Sequence, residues 1–205
     1  MDHITSHNWK LLLLAGAMVG LLAWPGTSEA QTVTGQAKAV QGTVLLWILG
    51  GTTTTTLSDT GTLSGTNDAR DASALSGNIP SLLTVDVLHA TTIGYPDEVD
   101  SEASLGDLAL TVGGNGISAD FVMARALAVL GAIGSGGSSI ANLSINGVPF
   151  VVTGDANQTI TIPGGQVVVN EQQTDPSGTI TVNALHVTVS GIADVVISSA
   201  TAGIF

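Results

Sequence analysis

Two histidines occupy the same position in two similar segments of the chain. His89 lies in Leu83–Thr92, Leu-Thr-Val-Asp-Val-Leu-His-Ala-Thr-Thr, and His186 lies in Ile180–Val189, Ile-Thr-Val-Asn-Ala-Leu-His-Val-Thr-Val. Imidazole is a common metal ligand, so histidines from two related strands could line one metal site. Such a site needs a third ligand, and neither residue has His, Cys or Glu at ligand spacing. We interpret both as structural histidines, each packed against a neighbouring strand with its ring bonded to a carbonyl or hydroxyl group.

Nucleophilic catalysis has little support in the sequence. Ser, His and Asp all occur, but no Gly-x-Ser-x-Gly segment is present to aim a serine at a substrate. No pattern of residues indicates a bound cofactor. The sequence therefore predicts a protein that is not an enzyme, with no catalytic residues and no cofactor.

An acidic segment follows the predicted turn at Gly94–Asp97 and offers the hard oxygen atoms that Ca²⁺ prefers. The weak candidates for metal ligands there are Asp97, Glu98, Asp100 and Glu102. The segment lacks the Asp-x-Asp-x-Asp-Gly pattern of an EF-hand, and a charged turn is usually just solvated. Asp68 with Asp71 is a weaker candidate still. We therefore predict no metal site.

Four polar residues recur before pairs of apolar residues in the strand-like segments. They are Asp86, Asp120, Asn183 and Asp194. We expect them to cap strand ends or to form hydrogen bonds across a sheet, because an unpartnered buried polar group costs on the order of 1–3 kcal/mol.

The elements that carry these residues read as strands. Runs of β-branched residues and leucine alternate with Gly-rich turns, which predicts about ten short strands. The clearest local signal is Asn146-Gly147 between two apolar runs, which predicts a type I′ hairpin with Pro149 on an edge strand. Thr43–Leu49, centred on Trp47, reads as a buried strand. We expect Gln31–Gly42 to be a frayed start or an edge strand.

Two further stretches are expected to be loops, since small and polar residues dominate them. Asp59–Asn78 should contain at most one short strand, and Gly131–Ser139 should contain none. Short strands with frequent turns indicate an all-β fold, an antiparallel β-sandwich or a barrel-like sheet. The alternative is a β-helix or solenoid, which ranks second because the repeat spacing is irregular and a solenoid needs a fixed period.

Residues 1–30 have the pattern of a secretory signal peptide. Lys10 precedes the apolar run Leu11–Ala23, and Ser28-Glu29-Ala30 places small residues at positions −3 and −1 before Gln31. The run is shorter than the roughly 20 residues of a membrane span, so we favour cleavage over a retained anchor. Residues 31–205 then form one β-rich exported domain without a membrane span.

Composition narrows the classes of partner. The chain has 4 Lys and Arg against 16 Asp and Glu, a net charge of −12, and no cysteine. This charge argues against nucleic acid and anionic lipid surfaces as partners. Without disulfides, an exported domain must be stabilised by packing and backbone pairing.

Several long motifs resemble those of the bacterial choice-of-anchor P family. They are Ser-Ser-Ile-Ala-Asn-Leu-Ser-Ile-Asn-Gly (138–147), Asn-Gln-Thr-Ile (157–160), Ile-Pro-Gly-Gly (162–165), Val-Val-Asn-Glu-Gln (168–172), Val-Asn-Ala-Leu-His-Val (182–187) and Ala-Asp-Val-Val-Ile-Ser-Ser-Ala (193–200). The resemblance implies an exported, surface-associated bacterial domain that is joined to different C-terminal sorting signals in different members. No such signal precedes Phe205, which favours free secretion or assembly. The resemblance implies no catalytic residue and no cofactor.

We therefore expect a secreted, extracellular or cell-surface protein with a structural or interaction role. Apolar, Thr-rich strands suit self-assembly by β-strand addition into a homo-oligomer or filament. Residues 31–56 are the predicted donor, since they are strongly strand-like and precede the acidic loops. The alternative is a secreted binding module for a glycan or Ca²⁺, although few aromatic residues are present to stack on sugars.

Overall fold

Alternating inward and outward side chains organise the molecule into long strands. The computed structural model describes residues 31–46 and 51–205, so the predicted leader and Trp47 lie outside the described residues. The strands are β1 (Val33–Leu46), β2 (Gly51–Asp59), β3 (Ala69–Ile79), β4 (Leu83–Gly94), β5 (Glu98–Val112), β6 (Asn115–Val129), β7 (Ser135–Ala141), β8 (Ser144–Ile145), β9 (Val148–Pro149), β10 (Gln158–Ile162), β11 (Gly165–Thr174), β12 (Ile180–Val189) and β13 (Ala193–Ile204). Among the described residues, no helix is long and apolar enough to cross a membrane.

The strands form two antiparallel sheets. Sheet A has the order β10-β11-β12-β13-β1-β2, and sheet B has the order β3-β4-β5-β6-β8-β9, with β7 pairing β6 beside β8. The two sheets pack face to face around one apolar core, which confirms the predicted all-β sandwich. Within the described ranges neither sheet closes into a barrel, and the solenoid alternative is wrong.

The core is built from many small and medium side chains, because aromatic residues are only 3% of the sequence. Leu88, Leu105 and Val122 point inward from sheet B, while Leu185 and Ile197 point inward from sheet A, and all are essentially inaccessible to solvent. Since no large side chain dominates, stability is spread over the whole interface between the sheets.

In several strands of both sheets, the alternation of inward and outward side chains reverses at one point. These points form a line across the sheets, which we call the pleat reversal. In sheet A two consecutive residues of a strand both point inward, as at Ala184-Leu185 and Ile197-Ser198. In sheet B two consecutive residues both point outward, as at Asp86-Val87 and Asp120-Phe121. Positive φ angles mark this line at Asn170, Ser58, Ser198, Val87, Asp107 and Asn142. The extra inward residues of sheet A thus fill the space that sheet B vacates, and the Ser198 hydroxyl donates to the Val122 carbonyl of sheet B at 3.2 Å.

Three local predictions need correction. The chain from Val33 to Leu46 is one strand in the interior of sheet A, paired on both sides, and not a frayed start or an edge. Ala69–Ile79 is a full edge strand within the stretch predicted to be mostly loop, and Ser135–Ala141 forms β7 within the predicted Gly-Ser loop. Small polar residues can form an edge strand without an apolar alternation, because neither of its faces must be fully buried.

The hairpin prediction at Asn146-Gly147 is confirmed. Both residues have positive φ, 52° for Asn146 and 75° for Gly147, as a type I′ turn requires. Pro149 lies in β9, which is an edge strand, so its missing N–H costs no ladder hydrogen bond. The flanking strands are only two residues each and so are shorter than predicted.

Candidate functional site

His186 is the centre of the most connected polar cluster on the outer face of sheet A. Its Nδ1 lies 2.9 Å from Oε2 of Glu171 on β11, and its Nε2 lies 3.1 Å from Oδ1 of Asp194 on β13. The Asn183 side-chain amide also donates to Glu171, at 2.6 Å. A carboxylate can only accept hydrogen bonds, so both ring nitrogens must carry protons for both contacts to form. The geometry therefore favours an imidazolium cation between two carboxylates.

The electrostatics of this cluster agree with that assignment. Burial lowers the pKa of His186, but the hydrogen bonds and negative charges of Glu171 and Asp194 outweigh it and raise the pKa above its usual 6.5. Burial likewise raises the pKa of Glu171, but hydrogen bonds from Asn183 and His186 outweigh it and lower the pKa. Each partner thus favours the charged form of the other.

Sequence reasoning missed Glu171 as a partner of His186, because the two are far apart in the chain. The register of β11 with β12 pairs Glu171 with Asn183, three residues before His186. The signal that could have revealed this contact is the hairpin register set by the turn at Asp175–Gly178. The expectation that Asn183 and Asp194 bond across the sheet is confirmed by these contacts, as is that for Asp120, which accepts from Asn142 at 2.6 Å.

His89 lies on the opposite side of the molecule. It points outward from β4 in sheet B, whereas His186 points outward from β12 in sheet A, so the two cannot share a ligand. Its Nδ1 lies 3.0 Å from the hydroxyl of Ser73 on the neighbouring strand β3, as expected for a histidine packed against a neighbouring strand.

The Ser73 hydroxyl also lies 3.2 Å from a carboxylate oxygen of Asp71, so Ser, His and Asp do meet. The order differs from that of a hydrolase triad, in which the carboxylate binds and orients the histidine. Here the Ser73 hydroxyl donates to the carboxylate, and its oxygen accepts from Nδ1 of His89 on an outer sheet face. This arrangement gives no support to nucleophilic catalysis.

The acidic segment after the β4–β5 turn is spread along a strand and does not converge. Glu98, Asp100 and Glu102 alternate with buried residues on the outer face of β5, so successive carboxylates are about 7 Å apart along the strand. The Asp100 carboxylate accepts hydrogen bonds from two guanidinium nitrogens of Arg125 on β6, Nη2 and Nε, and the Nε donor lies at 3.0 Å. In residues 31–46 and 51–205, no group of three or more His, Cys, Asp or Glu side chains is placed to hold a metal ion.

Asp68, a weak candidate for a metal ligand in the sequence, holds a turn in the structure. Its carboxylate accepts the Ser64 N–H at 2.8 Å, the Ser64 hydroxyl at 2.9 Å and the Arg70 Nε at 2.9 Å. The backbone hydrogen bond from Ser64, followed by the side-chain bonds from Arg70 and Ser64, lowers the pKa of Asp68 to about 2. Asp68 therefore fastens the turn between β2 and β3, and Asp71 does not join it.

A shallow polar depression of about 220 Å³ lies beside the His186 cluster on the outer face of sheet A. It crosses β12, β13 and β1, where most of the side chains are amides and hydroxyls, with one lysine and one valine among them. Its lining is Gln36, Lys38, Gln41, Thr181, Asn183, Val196, Ser199 and Thr201. Several of these groups already bond to one another, as Thr181 does to Thr201 at 3.0 Å, and no aromatic ring lines the depression.

The free edges of the two sheets form a second candidate surface. β2 ends sheet A and β3 ends sheet B, and the two strands contact each other on one side of the sandwich, which we call the open side. Neither strand contains proline, and no charged residue occurs in Gly51–Ser58 or Ala72–Ile79. Natural edge strands are usually shortened, charged or covered, because their unpaired N–H and C=O groups invite another strand.

The opposite side of the sandwich is protected in these usual ways. β10 is five residues long, β9 is two residues long and carries Pro149, and β7 packs against β11 and β12 of the other sheet. Within the part of the chain that the structure describes, only the open side therefore presents long edge strands with extended uncharged stretches, Gly51–Ser58 and Ala72–Ile79.

The chain matches no protein-family model, no curated protein and no solved structure. The resemblance stated above thus stays a hypothesis carried by the quoted motifs.

Proposed function

We propose that this protein is an exported, non-enzymatic structural or interaction protein that associates with copies of itself through β-strand pairing. Its place of action is the cell surface or the extracellular space. The leader-like residues 1–30 and the resemblance to a surface-protein family support export. The geometry of the open side supports self-association.

The observation that carries the proposal is the pair of unprotected edges at β2 and β3. They offer nine and eleven residues of backbone that can pair with a strand from another copy. The threonines of β2 already pair with β1 through side chains, with the Thr43 and Thr54 hydroxyls 2.9 Å apart. A second Thr-rich strand could pair in the same manner on the free side.

Charge supports the same surface. A chain with a net charge of −12 repels its own copies, and this repulsion weakens wherever acidic side chains are sparse. On the open side the acidic residues of β2 and β3 are only Asp59 and Asp71, near the strand ends. Leu75 on β3 is 88% exposed, and strand pairing at this edge could cover it.

The test is the mass and shape of the purified protein by light scattering and electron microscopy, with charge placed on the edges. We expect large assemblies from the wild type and their loss in a Thr54→Lys, Leu75→Lys double variant, because edge lysines oppose strand addition. The matched control is Thr84→Lys with Ser118→Lys, since both are exposed but lie on interior strands β4 and β6.

If the edge variant still assembles and the control does not, the contact between copies lies away from the edges β2 and β3. A wild-type protein that stays monomeric at every concentration would reject self-association as the function.

A second candidate function is a binding module for a hydroxylated ligand such as a glycan. The polar depression across β12, β13 and β1 favours it, since amides and hydroxyls are the groups that recognise sugar hydroxyls. A glycan array probes this function directly, and Asn183→Leu at the lining should abolish any hit. If the protein binds Ca²⁺ instead, millimolar Ca²⁺ should raise its melting temperature.

A further inference from the structure

The first and the last strand of the domain are paired with each other. β1 and β13 form an antiparallel ladder from Val33 opposite Ile204 to Val44 opposite Ala193. Beyond it, the N–H and C=O groups of Thr32 and Phe205 bond to each other at 3.1 and 3.0 Å. β13, the last described strand, therefore pairs in sheet A with β1, the first described strand.

The N-terminal strand belongs to a unit whose described residues are 31–46 and 51–63, and we call residues 31–63 the N-terminal segment. β2 pairs with β1, and the chain continues along β1 after β2 ends. There the Thr60 N–H donates to the Ala37 carbonyl at 3.0 Å, and the Leu63 N–H donates to the Gly35 carbonyl at 2.9 Å. The segment thus satisfies much of its own backbone and needs β13 for the other edge of β1.

The segment also completes the core. Ala37, Ala39 and Val40 of β1 are fully buried, and Leu63 is 7% exposed. Ala37 packs in a small cluster with Ala90 of β4 and Ala103 of β5. Without the segment, β13 would present an unpaired edge and part of the inner face of sheet B would lose its cover.

One short connection, residues 64–68, joins this segment to the rest of the molecule. It is closed by the Asp68 carboxylate on Ser64, and by backbone bonds from Asn67 N–H to Gly94 at 2.7 Å and from Gly94 N–H to Asp68 at 2.9 Å. If these bonds open, five residues can extend over roughly 17 Å. The segment could then reach beyond its own domain.

We propose that the N-terminal segment exchanges between copies, so that residues 31–63 of one molecule occupy the place beside β13 of the next. This inference rests on the proposed self-association and names its donor, its acceptor and its hinge. An exchanged segment makes the same contacts as in the monomer. The free energies of the exchanged and monomeric states therefore differ only through the conformation of the hinge and the translational and rotational entropy lost on association. Reciprocal exchange gives a dimer, and sequential exchange gives an open filament.

The order in which the chain forms favours exchange. β1 is complete long before β13, and its ladder spans almost the whole sequence. Such long-range pairing is slow to form. During that time the segment of one molecule and the β13 edge of another can meet, and high local concentration of chains increases the probability of this encounter.

The experiment uses engineered disulfides, for which a chain without cysteine is a clean background. Gln36 on β1 lies opposite Thr201 on β13. One full-length chain carries Gln36→Cys, and a second chain with a different tag carries Thr201→Cys. The two are co-expressed, purified, oxidised and run on a non-reducing gel, with light scattering on the same material. Exchange predicts a covalent heterodimer.

The matched control replaces Gln36→Cys by Thr181→Cys on β12. Thr181 also lies opposite Thr201, but neither residue belongs to the N-terminal segment, so exchange cannot join two chains there. A chain with both Gln36→Cys and Thr201→Cys should close internally whenever it is monomeric. Asp68→Ala, which removes the side-chain bonds of the hinge and leaves its backbone bonds to Gly94, should raise the heterodimer fraction by about tenfold.

Each outcome separates the two proposals. A heterodimer at 36–201 but not at 181–201 supports exchange. Associated material with no 36–201 heterodimer, or with equal crosslinking in both pairs, rejects exchange and leaves pairing at the free edges as the mode of association. Material that scattering shows to be monomeric and that yields no heterodimer rejects both.

Discussion

At the scale of single residues, backbone conformation and hydrogen bonds define the special positions more than chemical reactivity does. Val87 has a φ of +49°, which β-branched residues strongly disfavour. It lies at the pleat reversal with its side chain 66% exposed, so packing gains little from the valine. His186 has two carboxylate partners, while its counterpart His89 has a serine hydroxyl.

Replacing Val87 by asparagine should stabilise the protein. Asparagine tolerates positive φ, and an ordinary residue there costs on the order of 1–2 kcal/mol. We expect Val87→Asn to raise the free energy of unfolding by about 1 kcal/mol in urea denaturation. Val87→Thr keeps the branched Cβ and should give no gain. Equal stability of both variants and the wild type would mean that the strain is relieved in solution.

The His186 cluster should make stability depend on pH. Since the folded pKa of His186 is raised, its contribution is complete below 6.5 and is lost as pH rises through the raised value. Since that of Glu171 is lowered, its contribution is complete above 4.5 and is lost as pH falls through the lowered value. Both contributions are therefore present together between about pH 4.5 and 6.5.

His186→Gln should therefore cost about 0.5–1 kcal/mol at pH 5.5, the usual range for a partly exposed ion pair, and less at pH 8.5. Thermal melts at the two pH values measure the difference. His89→Gln is the control for loss of an imidazole, because the partner of His89 is a serine hydroxyl and not a carboxylate. The same loss at both pH values for His186→Gln would show that charge does not act there.

At the scale of strands and turns, local chemistry predicts turns well and strand lengths less well. Asn146-Gly147 could be predicted because both positions need positive φ. β3 could not, since Ala69–Ile79 lies at an edge where apolar alternation is not required. The pleat reversal also disturbs the period-two pattern of apolar residues. In β12, for example, even-numbered residues are buried up to Ala184 and odd-numbered residues from Leu185 onward.

The strand β7 provides a test of close packing between the sheets. A Cβ on Gly136 would lie 2.4 Å from the Arg125 carbonyl oxygen and 2.6 Å from Cγ2 of Val182, whereas one on Gly137 would meet nothing within 4 Å. We expect Gly136→Ala to destabilise the protein by about 2–3 kcal/mol, since backbone must shift. Gly137→Ala should be nearly neutral. Denaturant melts of the pair compare them, and similar stabilities would mean that β7 does not pack against β12 in solution.

At the scale of the whole molecule, composition and periodicity were enough to predict an all-β fold of sandwich or barrel-like type, and the structure shows the sandwich. They could not predict which strands are neighbours, because partner choice depends on contacts across most of the sequence. The placement of Val33–Leu46 beside β13 is the clearest example. The His186 cluster was missed for a more local reason, since its three charged residues come from three consecutive strands whose register was not assigned from the sequence.

Ionic strength should reveal which forces drive association. With a net charge of −12, copies repel each other at low salt, and screening at higher salt reduces that repulsion. We expect light scattering to show more association at 150 mM than at 10 mM NaCl. Association that weakens with added salt would instead indicate contacts held by opposite charges, which the uncharged stretches Gly51–Ser58 and Ala72–Ile79 cannot supply.

The pairing of Thr32 with Phe205 has a consequence for biosynthesis. β1 is made before β13, so sheet A is incomplete until β13 has been synthesised. A product truncated before β13 lacks one of the two partners of β1, although it contains the other, β2. Synthesis of β13 thereby becomes a checkpoint, because only molecules that contain it can cover the edge of β1 that would otherwise recruit other strands.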